Sequence, residues 1–560
     1  MVLRCGRVAS QASDYQFAPH ERPFMPGSPA TPTHPMPRRI GYFAIGVLVA
    51  LTAGLSNGLL LGNLPQIQGA LGLTSVESAW LTAAYSMTNV CTSFMLIKFR
   101  QQFGLQRLTR IFLLGFVAIS GAQVLVHSYG LEVALRAAAG IIGAGFTPLC
   151  FFYIMQAMPA KARLGGMVLG IGLTQVALPL ARVISPFLLA NGEIGNLYQF
   201  EFALSLICLG AIALLRLPPS ETSNVFEKLD FVTFALFAPG IMLLLAVLTQ
   251  GRIVWWTTPW LGYALAASIL LIGAAMLIEH NRASPMLNTR WMSTRGVLRF
   301  AFVAAAVRVL LSEQNYGSTG LLTLVGMGND QLITLNAVLV AATLAGVIAS
   351  VLTLNPQDLI KPIAFSVALI AVGAWLDSHA SNLTRPANLY LTQGLIGFAA
   401  AYFLGPTMIA GVLRALAKGP SHMVSFSAVF SMAQTLGGLG GTALLGSVQI
   451  IRERYHSSEL VHAITATDPQ VALRIQQLGG AYGRVVTDPA LRQAQGTQLL
   501  SQQVTREANI LAFNDVFLLI AALAAAAFCY LAGRWLYLKW RGINPLAEEL
   551  AALQRMRASQ

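Results

Sequence analysis

Apolar runs alternate with short polar connections along almost the whole chain. The runs cover about 42–63, 76–97, 108–127, 131–158, 163–190, 198–217, 230–249, 259–279, 298–325, 332–353, 359–378, 387–413, 423–451 and 512–538. A helix needs about 20 apolar residues to cross a bilayer, and these runs have that length. The pattern predicts an all-α polytopic membrane protein with about fourteen transmembrane helices.

The pattern breaks in two places. Residues 1–39 carry Pro19, Pro23, Pro26, Pro29, Pro32, Pro35 and Pro37 among few apolar neighbours, a composition that predicts a disordered tail. The segment has no hydrophobic stretch of the kind that a cleaved signal requires. Residues 452–511 form a connection far longer than most helix pairs need, and Val471 to Leu478 has helical spacing. This predicts a partly helical element outside the membrane, either a solvated loop or a docking surface for another protein.

Composition agrees with a lipid environment. The chain is 55% hydrophobic and 10% charged, against a charged share of roughly 25% in soluble domains. The net charge of +14 comes from basic residues at the ends of runs, so it does not point to nucleic acid. With the N-terminus inside, one set of connections holds Lys98, Arg100, Arg107, Arg110, Lys161, Arg163, Arg216, Lys228, Arg282, Arg290, Arg295, Lys361, Arg414 and Lys418; the short opposite ones hold little beyond Arg252 and Arg385. The asymmetry places both termini in the cytoplasm. Cys91, Cys150, Cys208 and Cys529 lie in apolar runs and Cys5 in the tail, without the spacing of a metal site or a disulfide framework.

Charged residues inside apolar runs are costly and mark functional candidates. Arg136 stands in the fourth run, followed by Gly140, Gly143 and Gly145, which let helices approach closely. Glu132, four residues before Arg136, has the spacing of a pair on one helix. Arg182, between Pro179 and Pro186 in the fifth run, has no acidic residue within one turn. A guanidinium in that setting attracts an anion, and its planar fork suits a carboxylate. In the ninth run Glu313 follows Arg308 by five residues, so desolvation and a nearby cation compete to set its charge. Two readings stay open for Glu313: a proton carrier, or a structural pair near the outer mouth.

An enzyme of many spans would need a nucleophile with its base or a metal cluster. The sequence has no GxSxG, HExxH or Walker-type loop, and Gly437 to Gly441 lacks the Gly-Lys-Ser/Thr ending of a phosphate cradle. Transport is the remaining class.

The order of several motifs carries a resemblance. Leu229-Asp230 opens a span that Gly251 and Trp256 close, and Pro285-Met286-Leu287 follows the next. Gln434-Thr435-Leu436-Gly437-Gly438 lies in a late span, and Phe513-Asn514-Asp515-Val516-Phe517 begins the last. From about 41 to 540 the chain resembles the EmrB/QacA-type, fourteen-span drug:proton antiporter branch of the major facilitator superfamily. Leu135-Arg136-Ala137-Ala138-Ala139-Gly140 is similar to the superfamily motif whose arginine is linked to proton coupling, with Ala139 at the usual glutamine. Three motifs depart from the pattern. Ser56-Asn57 replaces the first span's acidic opening, with Asn63-Leu64-Pro65 at its close. Ile97, Gln101 and Gln102 replace the glycine, aspartate and arginine after the second span. Val176 to Arg182 replaces the fifth span's glycine-rich motif.

The resemblance implies two six-helix bundles, 40–217 and 298–540, a linking helix pair within 218–297, a periplasmic loop at 452–511 and a cytoplasmic tail at 541–560. It implies a bacterial inner-membrane exporter of small amphipathic or aromatic compounds, either multidrug or organic-acid, driven by protons and using no cofactor. Substrate would bind near the midplane, with Arg136, Arg182, Arg308 and Glu313 as binding or coupling residues. Ser56, Asn57, Pro65 and Gly140 would carry the motifs. A periplasmic adaptor and an outer-membrane channel would be its partners. A non-antiport facilitator or importer of the same superfamily is the alternative, with a polytopic membrane enzyme behind it.

Overall fold

The computed structural model describes residues 27–125, 128–159, 162–419, 422–465 and 467–551. Eighteen α-helices account for most of them: α1 Met36–Gly62, α2 Leu64–Ala70, α3 Ser75–Phe103, α4 Leu105–Leu125, α5 Tyr129–Ala157, α6 Arg163–Leu188, α7 Gly195–Leu214, α8 Lys228–Val254 and α9 Pro259–Asn281. There follow α10 Thr289–Met292, α11 Arg295–Leu310, α12 Thr319–Leu324, α13 Ile333–Leu352, α14 Ile360–Asp377, α15 Tyr390–Lys418, α16 His422–Ala463, α17 Pro469–Gly480 and α18 Pro489–Trp540. No strand occurs among the described residues beyond one isolated bridge, Pro29 to Ser220.

Local chemistry sets the helix ends. Thr74 and Glu77 form a reciprocal cap on α3, with the Glu77 amide donating to Thr74 Oγ1 at 3.3 Å and the Thr74 amide to Glu77 Oε2 at 2.8 Å. Proline stands in the first turn of α1, α9, α17 and α18, where its missing amide hydrogen has no partner to lose. Gly104, at φ +81°, lets the chain turn sharply from α3 into α4.

Twelve helices among the described residues are long and apolar enough to cross a membrane. Two further apolar runs fall outside that set for different reasons. The helix α3 is long enough, but Thr82, Ser86, Thr88, Asn89, Thr92 and Ser93 lower its apolarity. The ninth run is broken into α11, a π-helical turn at Glu313–Ser318, and α12. Counting both gives about fourteen spans in an all-α fold.

Helix α1 packs on α5, α6 and α7, while α3 and α4 pack on α5. In the second half α13 and α14 pack on α15, and α18 lies against α14 and α16. The halves meet where α6 touches α13 and α15 and where α16 touches α3; α8 and α9 pack as a pair, with α8 also against α3 and α16. Close approach depends on small residues. A Cβ on Gly140 would lie 2.3 Å from the Tyr85 carbonyl oxygen, so only glycine lets α5 sit on α3.

One segment differs from the sequence expectation, and a second is more helical than the partly helical element expected. Residues 1–26 of the expected tail lie outside the described residues, but Ser28 to Thr31 are buried. The Ala30 amide donates to the Pro219 carbonyl at 2.9 Å, Gln156 Nε2 donates to the Ala30 carbonyl at 2.6 Å, and Arg163 donates to the Thr31 carbonyl at 3.2 Å. Extended backbone satisfied by neighbouring helix ends needs no core of its own. The connection 452–511 is mostly helical: α16 and α18 run well past their apolar stretches and α17 packs on α18. Gly496 permits that contact, because a Cβ there would lie 2.1 Å from the Ile475 carbonyl oxygen.

Candidate functional site

A cavity of about 280 Å³ lies between the halves, lined from α1, α3, α5 and α6 on one side and α11, the π-helical turn, α13 and α15 on the other. Arg182 and Arg308 both line it. Arg182 reaches across the halves, its Nη1 donating to Thr319 Oγ1 at 3.2 Å. Arg308 lies under Gly437 and Gly438, where a Cβ on Gly437 would come within 2.8 Å of the Arg308 Cβ. Asn57, Tyr85, Asn89, Thr147, Gln175 and Gln314 add neutral polar groups, and among the described residues none in the lining is Asp or Glu. Two guanidinium groups facing a cavity walled by neutral side chains form an anion-attracting site.

Arg136 is 1% exposed and sits one layer behind that wall. Its Nη1 donates to the Ser56 carbonyl at 3.3 Å and its Nη2 to Asn57 Oδ1 at 3.0 Å, while its guanidinium stands over the Tyr85 ring, 5.1 Å from the centroid. Asn57 and Tyr85 both line the cavity, so Arg136 positions its wall. The Ser56 hydroxyl donates to Glu201 Oε1 at 2.5 Å, and Tyr198 donates to Glu132 at 3.2 Å. Glu201 is a buried carboxylate that the sequence did not single out, because Phe200-Glu201-Phe202 near the start of a run reads as an interfacial residue. The hydrogen bond ties a carboxyl of α7 to Ser56 of α1.

Glu313 has a different neighbour from the one its spacing suggests. Five residues in a helix advance about 500°, so Arg308 and Glu313 point some 140° apart. Arg308 faces the cavity; Glu313 is fully buried beside Asp377 of α14. Gln393 of α15 bridges them, its Nε2 reaching Glu313 Oε1 at 3.0 Å, Glu313 Oε2 at 3.3 Å and Asp377 Oδ2 at 2.8 Å. Among the described residues neither carboxyl forms an ion pair. Two buried carboxyls this close repel strongly when both are ionised. Asp377 ends an apolar run and reads from sequence as a loop residue; only folding brings it to Glu313. π-Helical turns cluster at functional sites.

Polar contacts close the cavity toward the end opposite the basic loops. Asn63 donates to the Leu59 carbonyl at 2.7 Å and to Ser185 Oγ at 2.6 Å, and Asn329 of the second half donates to Asn63 Oδ1 at 3.0 Å and to the Gly62 carbonyl at 3.1 Å. Pro65 follows in the first turn of α2, which starts at this junction. Toward the basic end, Met155, Met167 and Val168 of the first half share an apolar cluster with Met408, Met423 and Phe426 of the second.

Comparison with known proteins then decides the family. Residues 46–442 match the Major Facilitator Superfamily. The chain belongs to the Major Facilitator Superfamily. It is similar to the multidrug export protein EmrB of Escherichia coli (strain K12), with 20% identity over 478 residues, covering 82% of this chain and 88% of EmrB. The EmrB of Haemophilus influenzae is 24% identical over 509 residues, covering 85% of this chain and 93% of the relative. Among solved structures, a POT peptide transporter in complex with sulfate superposes with a TM-score of 0.52 at 12% identity, covering 88% of this chain and 95% of the other. That likeness concerns the fold. Within the superfamily fold, substrates bind near the midplane between the two halves, the position of the cavity that Arg182 and Arg308 line.

Proposed function

We propose that this superfamily member is a secondary active exporter, and not an enzyme, that carries small amphipathic or aromatic organic acids out of a bacterial cell across the inner membrane. The observation that carries the reading is the central cavity with two arginines and, among the described residues, no carboxylate in its lining. Its likeness to multidrug export proteins supports the outward direction. The halves are the six-helix bundles 40–217 and 298–540, with 218–297 as the linking pair and both termini cytoplasmic. The Glu313–Asp377 pair carries the proton that drives export, in place of the first-span acid that Ser56 displaces. Arg182 and Arg308 bind substrate, and Arg136 holds the cavity wall. The α16–α17–α18 extension offers an adaptor and outer-membrane channel their docking surface.

The test uses purified protein in liposomes with an acidic and a cationic aromatic substrate. Arg182→Gln and Arg308→Gln each lower transport of the acid about tenfold, the loss of one charge-assisted contact, and leave the cation within about twofold. Equal loss of both substrates by correctly inserted protein removes the anion site and leaves the arginines a structural role.

A further inference from the structure

A second cavity, of about 570 Å³, opens at the basic end of the second half and takes no part in the transport site. It lies between α11, α14, α15 and α18, with the segment Gly542–Leu546 as its floor. Five cations line it: Arg299, Lys361, Arg414, Arg534 and Lys539. Each stands within about two turns of a helix end, the level of a membrane–water interface. The charges are unbalanced. Among the described residues Asp358 is the one carboxylate in the lining, and it is engaged, accepting from Trp535 Nε1 at 2.9 Å and from the Lys361 amide at 3.3 Å. Outside the lining Glu549 acts on Arg414 as an opposing charge, and Arg534 and Arg299 act on it as like charges. Among the described residues none of the five forms an ion pair, and Arg414 donates only to the Ala410 carbonyl of its own helix, at 3.3 Å.

The remaining walls are apolar. Tyr530 and Ile543, each 51% exposed, sit on the rim, and Leu531, Ile360 and Leu538 line the interior. Next to the rim on α18, Leu536 is 58% exposed and Trp540 83% exposed. A site that is cationic inside, apolar at its edge and placed at an interface fits a phosphate with hydrocarbon attached. Basic pockets between transmembrane helices bind acidic lipid headgroups for this reason. Fork-shaped guanidinium groups hold phosphate oxygens in pairs.

We infer that this cavity is a binding site for the phosphate headgroup of an acidic phospholipid, with Arg414 and Arg534 as its principal contacts and Lys539, held over Trp535 at 4.9 Å, at its mouth. The headgroup neutralises the facing arginines and ties α18 to α11, α14 and α15.

Native mass spectrometry of the full chain, exchanged into detergent and titrated with phosphatidylglycerol, phosphatidylcholine or inorganic phosphate, tests the assignment. Phosphatidylglycerol binds selectively, and Arg414→Gln with Arg534→Gln weakens that binding about thirtyfold, as expected for two interfacial charges. Lysine at both positions keeps most of it, which separates loss of charge from misfolding. Arg290→Gln, at the same end but outside the cavity, changes nothing. Undiminished phosphatidylglycerol binding by the double glutamine variant overturns the site. Equal binding of phosphatidylcholine overturns the selectivity. Full competition by inorganic phosphate at equal concentration overturns the lipid as its source and leaves a free anion.

Discussion

Arg308 and Glu313 are five residues apart, and the turn between them decides their separate uses. One faces the central cavity and the other is sealed against Asp377. The Gln393 amide can steady the carboxyl pair but cannot supply or accept a proton, so the proposed exchangeable proton is assigned to the two acids. Glu313→Gln therefore abolishes substrate accumulation driven by a pH gradient while leaving substrate-for-substrate counterflow near the wild-type rate. Counterflow lost together with accumulation, in protein that still inserts, places Glu313 in structure. Arg136 makes the opposite case. Its bonds run to the Ser56 carbonyl and to Asn57 on the cavity wall, and the sequence showed only a cation in a run with an acid one turn away. Burial explains the need for partners; it does not say on which helix they lie.

At the scale of elements, the α8–α9 pair is fastened by charge rather than by packing alone. Asp230, at the start of α8, is fully buried and accepts from Lys98 of α3 at 2.6 Å and from Arg282 at 3.0 Å; Arg282 also donates to Glu279 at 2.7 Å and to Glu227 at 2.8 Å. Breaking one partner of a buried ion pair costs about 3 kcal/mol or more. Asp230→Asn should lower the unfolding temperature of the detergent-solubilised protein by several degrees, and a thermal shift within error of wild type argues that the knot is solvated. Leu229-Asp230 was visible as a motif, whereas its reach to Lys98, 132 residues away, was not. The hairpin of α16, α17 and α18 is the second case. Its polar composition and partial helicity were legible in the sequence, but the packing of α17 on α18 depends on the Gly479 and Gly496 contacts. Cysteines introduced along α17 should crosslink to a periplasmic adaptor in intact cells. Deletion of 464–488 with export unchanged removes that role.

At the scale of the molecule, alternating access requires the two halves to part at one end while they close at the other. Asn63 and Asn329 join them at the end opposite the basic loops, at 3.0 Å. Asn63→Cys with Asn329→Cys, crosslinked by an oxidant, should stop transport more than tenfold, and reductant should restore it. Transport that continues through the crosslink shows that this junction does not open.

The sequence by itself determined the solvent and the class of element. Run length fixes whether a helix can span a bilayer, and proline, glycine and capping residues fix where it ends; these are local properties and survive any arrangement of neighbours. Motif order carried the superfamily for the same reason. Tertiary structure decided which charges meet. Glu201 reached Ser56, Asp377 reached Glu313, Asp230 reached Lys98, and five cations from four helices converged on one cavity. Each of these groupings depends on the rotation of a helix about its axis and on its neighbour, and an apolar run with little amphipathic bias encodes neither.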